Sequence, residues 1–382
     1  TATNIENGIL MFGRRSERMR VFIMARGYPT EKYPLNGIFE FDQAKALSKA
    51  GVEVIYLAND TRSIRRKRKW GYQRFNKDGV EMFVFNLPFG PIPSKIKKPF
   101  SRRALLYIYK KAVKEFGEPD VLHAHFCGGA NLNSLYLKEI SKKPLIITEH
   151  TSAMNQDIIP ERLKNNADKA YHQANKVIAV SDALRNKIKK EFNIDAITVN
   201  NIVDTELFKV DEKANKDVSV FNFISVGGLI PRKGFDLLIE AFAEVVKKKQ
   251  NIKLTIIGGG IEKNKLQDLI NENKVSDKVE MLGQKPRKVI AEYMQKSDCF
   301  ALATKRETFG VVYIEALSCG LPVIATICGG PEEFVNEENG ILINVDNKEQ
   351  LVSAMLKMID NKDIYNQKKI SEDIKKKFAP EK

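Results

Sequence analysis

The sequence predicts an α/β protein made of two doubly wound parallel sheets, and three observations lead there. Short apolar runs of strand length alternate with longer segments of helical spacing along most of the chain, the pattern of a parallel sheet covered on both faces. The 382 residues exceed one ordinary domain and suit two of roughly 150–200 residues each. The alternation loosens once, in the polar stretch VNNIVDTELFKVDEKANKDVSV, and restarts after it. The expected organisation is a first Rossmann-like domain over 1–200, a linker over 201–217 and a second such domain over 218–382.

The elements follow in order. MRVFIMA reads as a strand, RGYPTEKYPLNG as a loop, IFEFDQAKALSKAG as a helix with a glycine stop, and VEVIYLA as the next strand. DVLHAHF, PLIITEH and KVIAVS are three further buried strands, each short and apolar between helix-like segments. In the second half, FNFISVGG is a strand and GFDLLIEAFAEVVKKKQ an amphipathic helix. KLTIIGGG, KVEMLG, CFALAT, LPVIAT and GILIN supply five more strands. Two such domains face each other across a cleft lined by the carboxyl ends of their strands, where ligands of open α/β sheets bind.

No apolar run approaches the roughly 18 residues that span a bilayer. The first twenty residues carry Arg14, Arg15, Arg18 and Arg20 with no long apolar core behind them, unlike a secretory signal. Cys127, Cys299, Cys319 and Cys328 form no C-x-x-C pair, so a reducing cytoplasm is expected. The net charge of +15 is one-sided. Residues 1–200 hold 35 Lys and Arg against 20 Asp and Glu, while residues 201–382 hold 28 of each. A basic surface therefore belongs to the first domain alone, densest in RSIRRKRKWGYQRF and SKIKKPFSRRALLYIYKKAVKEF.

The stretch RETFGVVYIEALSCGLPVIAT holds two carboxylates eight residues apart, Glu307 in a loop and Glu315 two turns inside the following helix. The helix N-terminus, with free backbone N–H groups and the positive dipole end, favours an anion or a hydroxyl-rich ligand. Glu315 stands among Ile314, Ala316 and Leu317, and a buried carboxylate needs partners. A structural salt bridge for Glu315 and a dipole partnership for Glu307 are the alternative.

KRETFGVVYIEALSCGLPVIATICGGPEEFV resembles the donor-binding signature of retaining GT-B glycosyltransferases of family 4, in its paired acids, the FG after the first, and GGPEE. SVGGLIPRKGFDLLIEAF is similar to the phosphate loop and helix of that family, NIVDTELF to its linker, and KPLIITEHTS and PDVLHAHF to its two histidine-bearing strand ends. YPLNGIFEFDQAKALSKAGVEVIYL matches its first glycine loop and helix. The ordered set covers most of residues 20–345.

The resemblance implies GT-B architecture and assigns roles. Glu315 is implied to hold the ribose diol of a nucleotide sugar, two hydroxyl donors meeting one desolvated carboxylate. Glu307, with the backbone of Thr308, Phe309, Gly310 and Val311, is implied to grip the donor sugar. Lys233 is implied to neutralise the departing diphosphate. The family's usual Arg after VG is replaced by Gly228, so either Arg232 supplies the second charge or the enzyme manages with one. Gly37, in Asn36-Gly37, stands where a glycine lets backbone N–H groups approach phosphate. His150 is implied to sit beside the donor sugar as a catalytic group with Glu307 and Lys233; His125 and His123 would border the acceptor. A zinc site from these imidazoles lacks any acid or cysteine at diagnostic spacing. No D-x-D occurs, and neither metal nor cofactor is expected, the nucleotide sugar being substrate. IIGGG lacks the pattern of a dinucleotide fingerprint.

The expected function is retaining, metal-independent transfer of a sugar from a nucleotide-diphosphate donor, UDP favoured, to an acceptor hydroxyl on a lipid-linked saccharide. A binding module with a degenerate donor site, or a nucleotide-sugar hydrolase or epimerase, are the alternatives. Basic residues beside Leu105, Leu106, Ile108 and Tyr109 suggest an interfacial helix on an anionic membrane. A peripheral place on the inner membrane face is thus expected. No nucleic-acid-binding motif appears, so nucleic acid is not an expected partner. The chain ends at KKKFAPEK, short of the last helix that usually crosses back onto the first domain.

Overall fold

The computed structural model describes residues 18–62, 65, 68–126 and 132–381; Cys127 and the arginines at 14 and 15 lie outside them. The first sheet has eight strands: β1 (Arg20–Ala25), β2 (Glu53–Asp60), β3 (Gly71–Lys77), β4 (Val80–Asn86), β5 (Val121–His125), β6 (Leu145–Glu149), β7 (Lys176–Ala179) and β8 (Ile197–Thr198). Their spatial order is β3-β4-β2-β1-β5-β6-β7-β8. All neighbours are parallel except β3 and β4. Helices α1 (Ile38–Lys49), α2 (Ser94–Phe116), α3 (Asn133–Ser141), α4 (Glu161–Gln173) and α5 (Asp182–Phe192) make the connections.

The hairpin β3–β4 is absent from the sequence reading, which takes the start of this region as a basic surface run. Its turn is Asp78-Gly79, with φ of 49° and 81°, the two positive values a tight hairpin turn requires. β3 is a polar edge strand: Arg74 pairs with Glu81 at 3.5 Å and with Glu115. Its outer residues carry charge, as edge strands do, and so its apolar signal is faint.

The expectation that Leu105, Leu106, Ile108 and Tyr109 form an interfacial stripe on α2 is corrected. Leu105, Ile108, Tyr109 and Ala112 are buried in the domain core and Leu106 packs against it, because α2 covers one face of the sheet at β2 and β4 and its apolar stripe is turned inward. The side chains left outside are Ile96, 55% exposed, Phe100, 48%, and Tyr107, 43%.

The second sheet comprises β9 (Phe221–Val226), β10 (Ile252–Ile257), β11 (Val279–Gly283), β12 (Cys299–Ala301), β13 (Val323–Thr326) and β14 (Gly340–Ile343). They are ordered β11-β10-β9-β12-β13-β14 and all parallel. Numbered within the sheet this is 3-2-1-4-5-6, with its topological switch between β9 and β12, where a crevice opens at the strand ends. α6 (Phe235–Val246), α7 (Lys263–Glu272), α8 (Arg287–Lys296), α9 (Val311–Ser318), α10 (Lys348–Asp360) and α11 (Gln367–Phe378) complete the domain. Residues 199–220, between the sheets, contain no helix or strand. They are nonetheless packed: Phe208 is fully buried, and the Val203 amide donates to the Phe378 carbonyl at 2.9 Å.

Candidate functional site

The loops after β9 and β12 meet at the switch point. After β9 the chain passes Gly227 and Gly228 into a 3-10 turn, Pro231–Lys233, closed by Gly234 at φ 66°. A Cβ on Gly234 would lie 1.9 Å from the Ala303 carbonyl oxygen, so only glycine lets the two loops touch. They are stitched together by the Lys305 amide and the Thr304 hydroxyl, both donating to the Arg232 carbonyl (2.8 and 3.1 Å). Gly228 itself has nothing nearer than 4.0 Å around a notional Cβ. Its lack of a side chain is therefore not a packing demand.

This stitching brings three predicted residues into one cluster. Lys233 Nζ forms an ion pair with Glu307, and Arg232 Nη1 lies 3.7 Å from the same carboxylate oxygen. Arg232 also donates to the Arg306 carbonyl at 3.1 Å. Two cations thus share one buried carboxylate at the mouth of α9. The helix itself starts after Gly310, at φ 92° with no side-chain cap, which leaves its first N–H groups to a ligand. Phe309 is buried against Phe334 and Phe378, ring centroids 5.2 and 5.5 Å away, so its contribution to the site is its backbone. Val311 opens the helix, half-buried.

Glu315 lies deeper on the same helix, its side chain 12% exposed. Burial raises its carboxyl above the ordinary range, opposed by Arg287. Arg287, the first residue of α8, donates Nη2 to Glu315 Oε1 at 2.7 Å and Nη1 to Asp42 Oδ2 at 2.8 Å. The salt-bridge alternative for Glu315 is therefore also met.

The first domain presents three histidines from adjacent strand ends. His123 Nε2 bonds to the Thr148 hydroxyl at 2.8 Å, and its ring stacks behind His125, centroids 4.5 Å apart. His125 Nδ1 and His150 Nε2 lie 3.0 Å apart in a hydrogen bond. Burial pushes His123 down to about 4 and His150 down to about 3, the latter helped by the Arg26 charge. All three rings are thus neutral at physiological pH. Among the described residues the buried His125 Nε2 has no hydrogen-bond partner, and the Asn201 side chain faces His150. His150 lines a cavity of about 20 Å³ with Phe39, Gln43, Asn200 and Asn201, room for about one water. Among the described residues, no three His, Cys, Asp or Glu side chains gather as a metal site. His172 lies on α4, bonded to its own helix at the Asp168 carbonyl.

The two domains touch across the cleft at these same residues. Asn155 Nδ2 donates to the Glu307 carbonyl at 2.6 Å, and the Thr308 hydroxyl to the His150 carbonyl at 3.0 Å. Glu333 accepts the Ala183 amide at 3.1 Å. Gly37 starts α1 at φ 69°, with a notional Cβ 2.3 Å from the Gly27 carbonyl oxygen. Arg26 rests 3.3 Å from the Phe126 ring centroid and 3.6 Å from the buried Glu40. Sequence reading missed Arg26, Glu40, Asp42, Asn155 and Arg287. Only Asn155 carries a local signal, five residues after His150 in a turn following β6.

Comparison with known proteins bears on the family and the fold. Residues 208–377 match the family described as Glycosyl transferases group 1, and residues 41–207 match Glycosyltransferase Family 4. The chain is 23% identical over 357 residues to the putative teichuronic acid biosynthesis glycosyltransferase TuaC of Bacillus subtilis, covering 88% of each. It is 35% identical over 167 residues, 42% of this chain and 43% of the other, to a Campylobacter jejuni N-acetylgalactosaminyltransferase named for a diphospho-undecaprenol acceptor. Among solved structures it is similar to sucrose-phosphate synthase of Thermosynechococcus elongatus, at TM-score 0.79 and 19% identity over 95% of both chains. Anabaena HepE, solved with UDP and glucose, gives TM-score 0.71 and 19% identity over 95% of this chain and 96% of that one. These likenesses show two-domain GT-B architecture.

Proposed function

Because the chain belongs to the group 1, family 4 glycosyltransferases, we propose that it moves a sugar from a nucleotide-diphosphate donor to an acceptor hydroxyl with retention of configuration. The observation that carries this reading is the shared cluster of Lys233, Arg232 and Glu307 at the mouth of α9, with Glu315 about one turn inside. A nucleotide sugar laid along that helix mouth puts its ribose diol at Glu315, its diphosphate at Lys233 and the backbone N–H groups, and its sugar at Glu307. Arg232 takes the place of the second cation that Gly228 lacks.

Donor binding divides the ion pair seen in the free protein: the diphosphate takes Lys233 and the sugar hydroxyls take Glu307. As the glycosidic bond breaks, Lys233 and Arg232 stabilise the charge that develops on the leaving diphosphate oxygen. That oxygen accepts the proton of the incoming hydroxyl on the same face, so no carboxylate nucleophile is needed and no metal is invoked. The neutral histidine wall of His150 and His125 borders the reacting sugar on the opposite domain, and His123 backs it through its ring stacked on His125. Contacts of Asn155 and Thr308 across the cleft hold water out.

UDP is the favoured nucleotide, in keeping with the UDP found in Anabaena HepE. A lipid-linked saccharide in surface polysaccharide synthesis is the favoured acceptor, in keeping with the diphospho-undecaprenol in the name of the Campylobacter relative and the teichuronic acid biosynthesis in the name of TuaC. No helix among the described residues is long and apolar enough to cross a membrane. The outward Ile96 and Phe100, beside the exposed Lys95, Lys98 and Arg103, form a basic apolar face that suits the inner surface of an anionic membrane.

The test is turnover: UDP- and GDP-sugars are supplied with and without a polyprenyl-diphosphate saccharide, and product configuration is read by NMR. Acceptor-dependent release of nucleoside diphosphate with a retained anomer supports the reading. Donor consumption without acceptor would make the protein a hydrolase or epimerase, and no turnover of any donor would refute transfer.

A further inference from the structure

Arg287 belongs to no sequence motif that pointed to function, yet its guanidinium joins Glu315 of its own domain to Asp42 of the other. Its guanidinium, 13% exposed, reaches Glu315 with one nitrogen and Asp42 with the other, at 2.7 and 2.8 Å. Its central carbon also lies 5.2 Å from the centroid of the buried Phe208 ring. Glu315 stands on α9 of the second domain and Asp42 on α1 of the first, one turn past Gly37.

We propose that Arg287 is a positioning residue for the donor: it holds Glu315 ionised and aimed at the ribose while tying it to Asp42 on the opposite domain. The inference rests on the donor reading given above.

The physical reason lies in the groups that face Glu315. They are Arg287 from α8, Asp42 from α1, Asp204 from the inter-domain segment and Cys319 just past α9, while Lys45 of α1 acts on Asp42. Lys45 is engaged by Asp204 at 3.7 Å. Among the described residues, Arg287 is thus the cation in direct contact with Glu315, set against two neighbouring carboxylates and burial, which favour the protonated form of Glu315. Once protonated, Glu315 loses an acceptor and can no longer take both ribose hydroxyls. Asp42 is under the same pressure and the same guanidinium opposes it.

The experiment measures calorimetric binding of UDP, with GDP in parallel, from pH 8 to pH 6, using the whole chain. In the wild type, affinity should stay nearly flat. In Arg287→Gln it should weaken about tenfold for each pH unit below the shifted Glu315 titration and recover as pH rises. Inorganic pyrophosphate, which has no ribose, should bind both proteins alike. Asp42→Asn keeps the Glu315 contact, so its UDP binding should stay flat with pH, while small-angle scattering should show a larger radius of gyration for the free protein. A flat profile for Arg287→Gln, or equal loss of pyrophosphate binding, would overturn the positioning role. An unchanged radius for Asp42→Asn would overturn the inter-domain tie. Glu315→Ala separates this from the reading beneath it: wild-type UDP affinity in that variant means the donor reading has failed, whatever Arg287 does.

Discussion

Replacing Glu307 with Gln removes one charge while leaving the shape of the donor cluster. The side chain is 8% exposed, and its partners Lys233 and Arg232 both remain. The carbonyl that accepts Asn155 is backbone, so Gln keeps that contact and the variant should fold. A charge-assisted hydrogen bond to a sugar hydroxyl contributes roughly 1.5–3 kcal/mol. Its loss in the transition state should lower kcat/KM by about 10- to 100-fold. UDP lacks the transferable sugar that Glu307 would grip, and in Glu307→Gln its diphosphate no longer competes with a carboxylate for Lys233. UDP should therefore bind the variant as tightly as the wild type, or more tightly. Steady-state transfer and calorimetry with UDP measure the two quantities side by side. Transfer at the wild-type rate would refute the sugar-reading role, and UDP affinity falling in step with transfer would show a merely structural one.

Gly37→Ala would place a methyl carbon in the Gly27 carbonyl at a positive φ, and should cost about 2 kcal/mol or more in urea denaturation. Donor affinity should fall with it. The buried histidines make stability pH-dependent. Their folded pKa values of about 4 for His123 and about 3 for His150 lie below the unfolded value near 6.5, so the unfolded chain takes protons first. Stability is then complete above roughly pH 6.5 and declines as pH falls, by about 2 kcal/mol per imidazole at pH 5. Denaturation at pH 7.5 and pH 5 measures this, and a His123→Asn/His150→Asn variant should flatten the difference. Ile96→Asp and Phe100→Asp, both on the outer face of α2, should reduce sedimentation with anionic liposomes and leave Tm within a degree or two. Equal sedimentation with neutral vesicles would argue against the membrane face.

The strand and helix alternation was legible because each buried parallel strand is a compact apolar run, such as Val54–Ala58 or Phe223–Val226. The hairpin at β3 was not, since an edge strand with a polar outer face lacks that run. α2 shows the limit of reading composition without direction. Its apolar and basic residues suggested a membrane stripe, but Leu105, Ile108 and Tyr109 turn inward while Ile96 and Phe100 stay out. In the site, Lys233, Arg232 and Glu307 could be gathered from two short segments, because a glycine at 234 and a loop of fixed length bring them together. Asp42, Arg287 and Glu315 could not. The Arg287–Glu315 contact joins two helices 28 residues apart, and the Arg287–Asp42 contact spans 245 residues and depends on how the two domains sit, relations that no local pattern encodes.

The central claim is that the mouth of α9 holds a nucleotide sugar, and thermal unfolding in the presence of ligands tests it most directly. At a hundredfold excess over Kd, a ligand that binds only the folded protein adds about 2.7 kcal/mol. For domains of this size that raises Tm by roughly 5–10 °C. UDP, GDP and their sugars are screened against the wild type and Glu315→Ala. The account predicts a clear rise for at least one nucleoside diphosphate, largely lost in Glu315→Ala. No rise with any of them, or an equal rise in the variant, would contradict it.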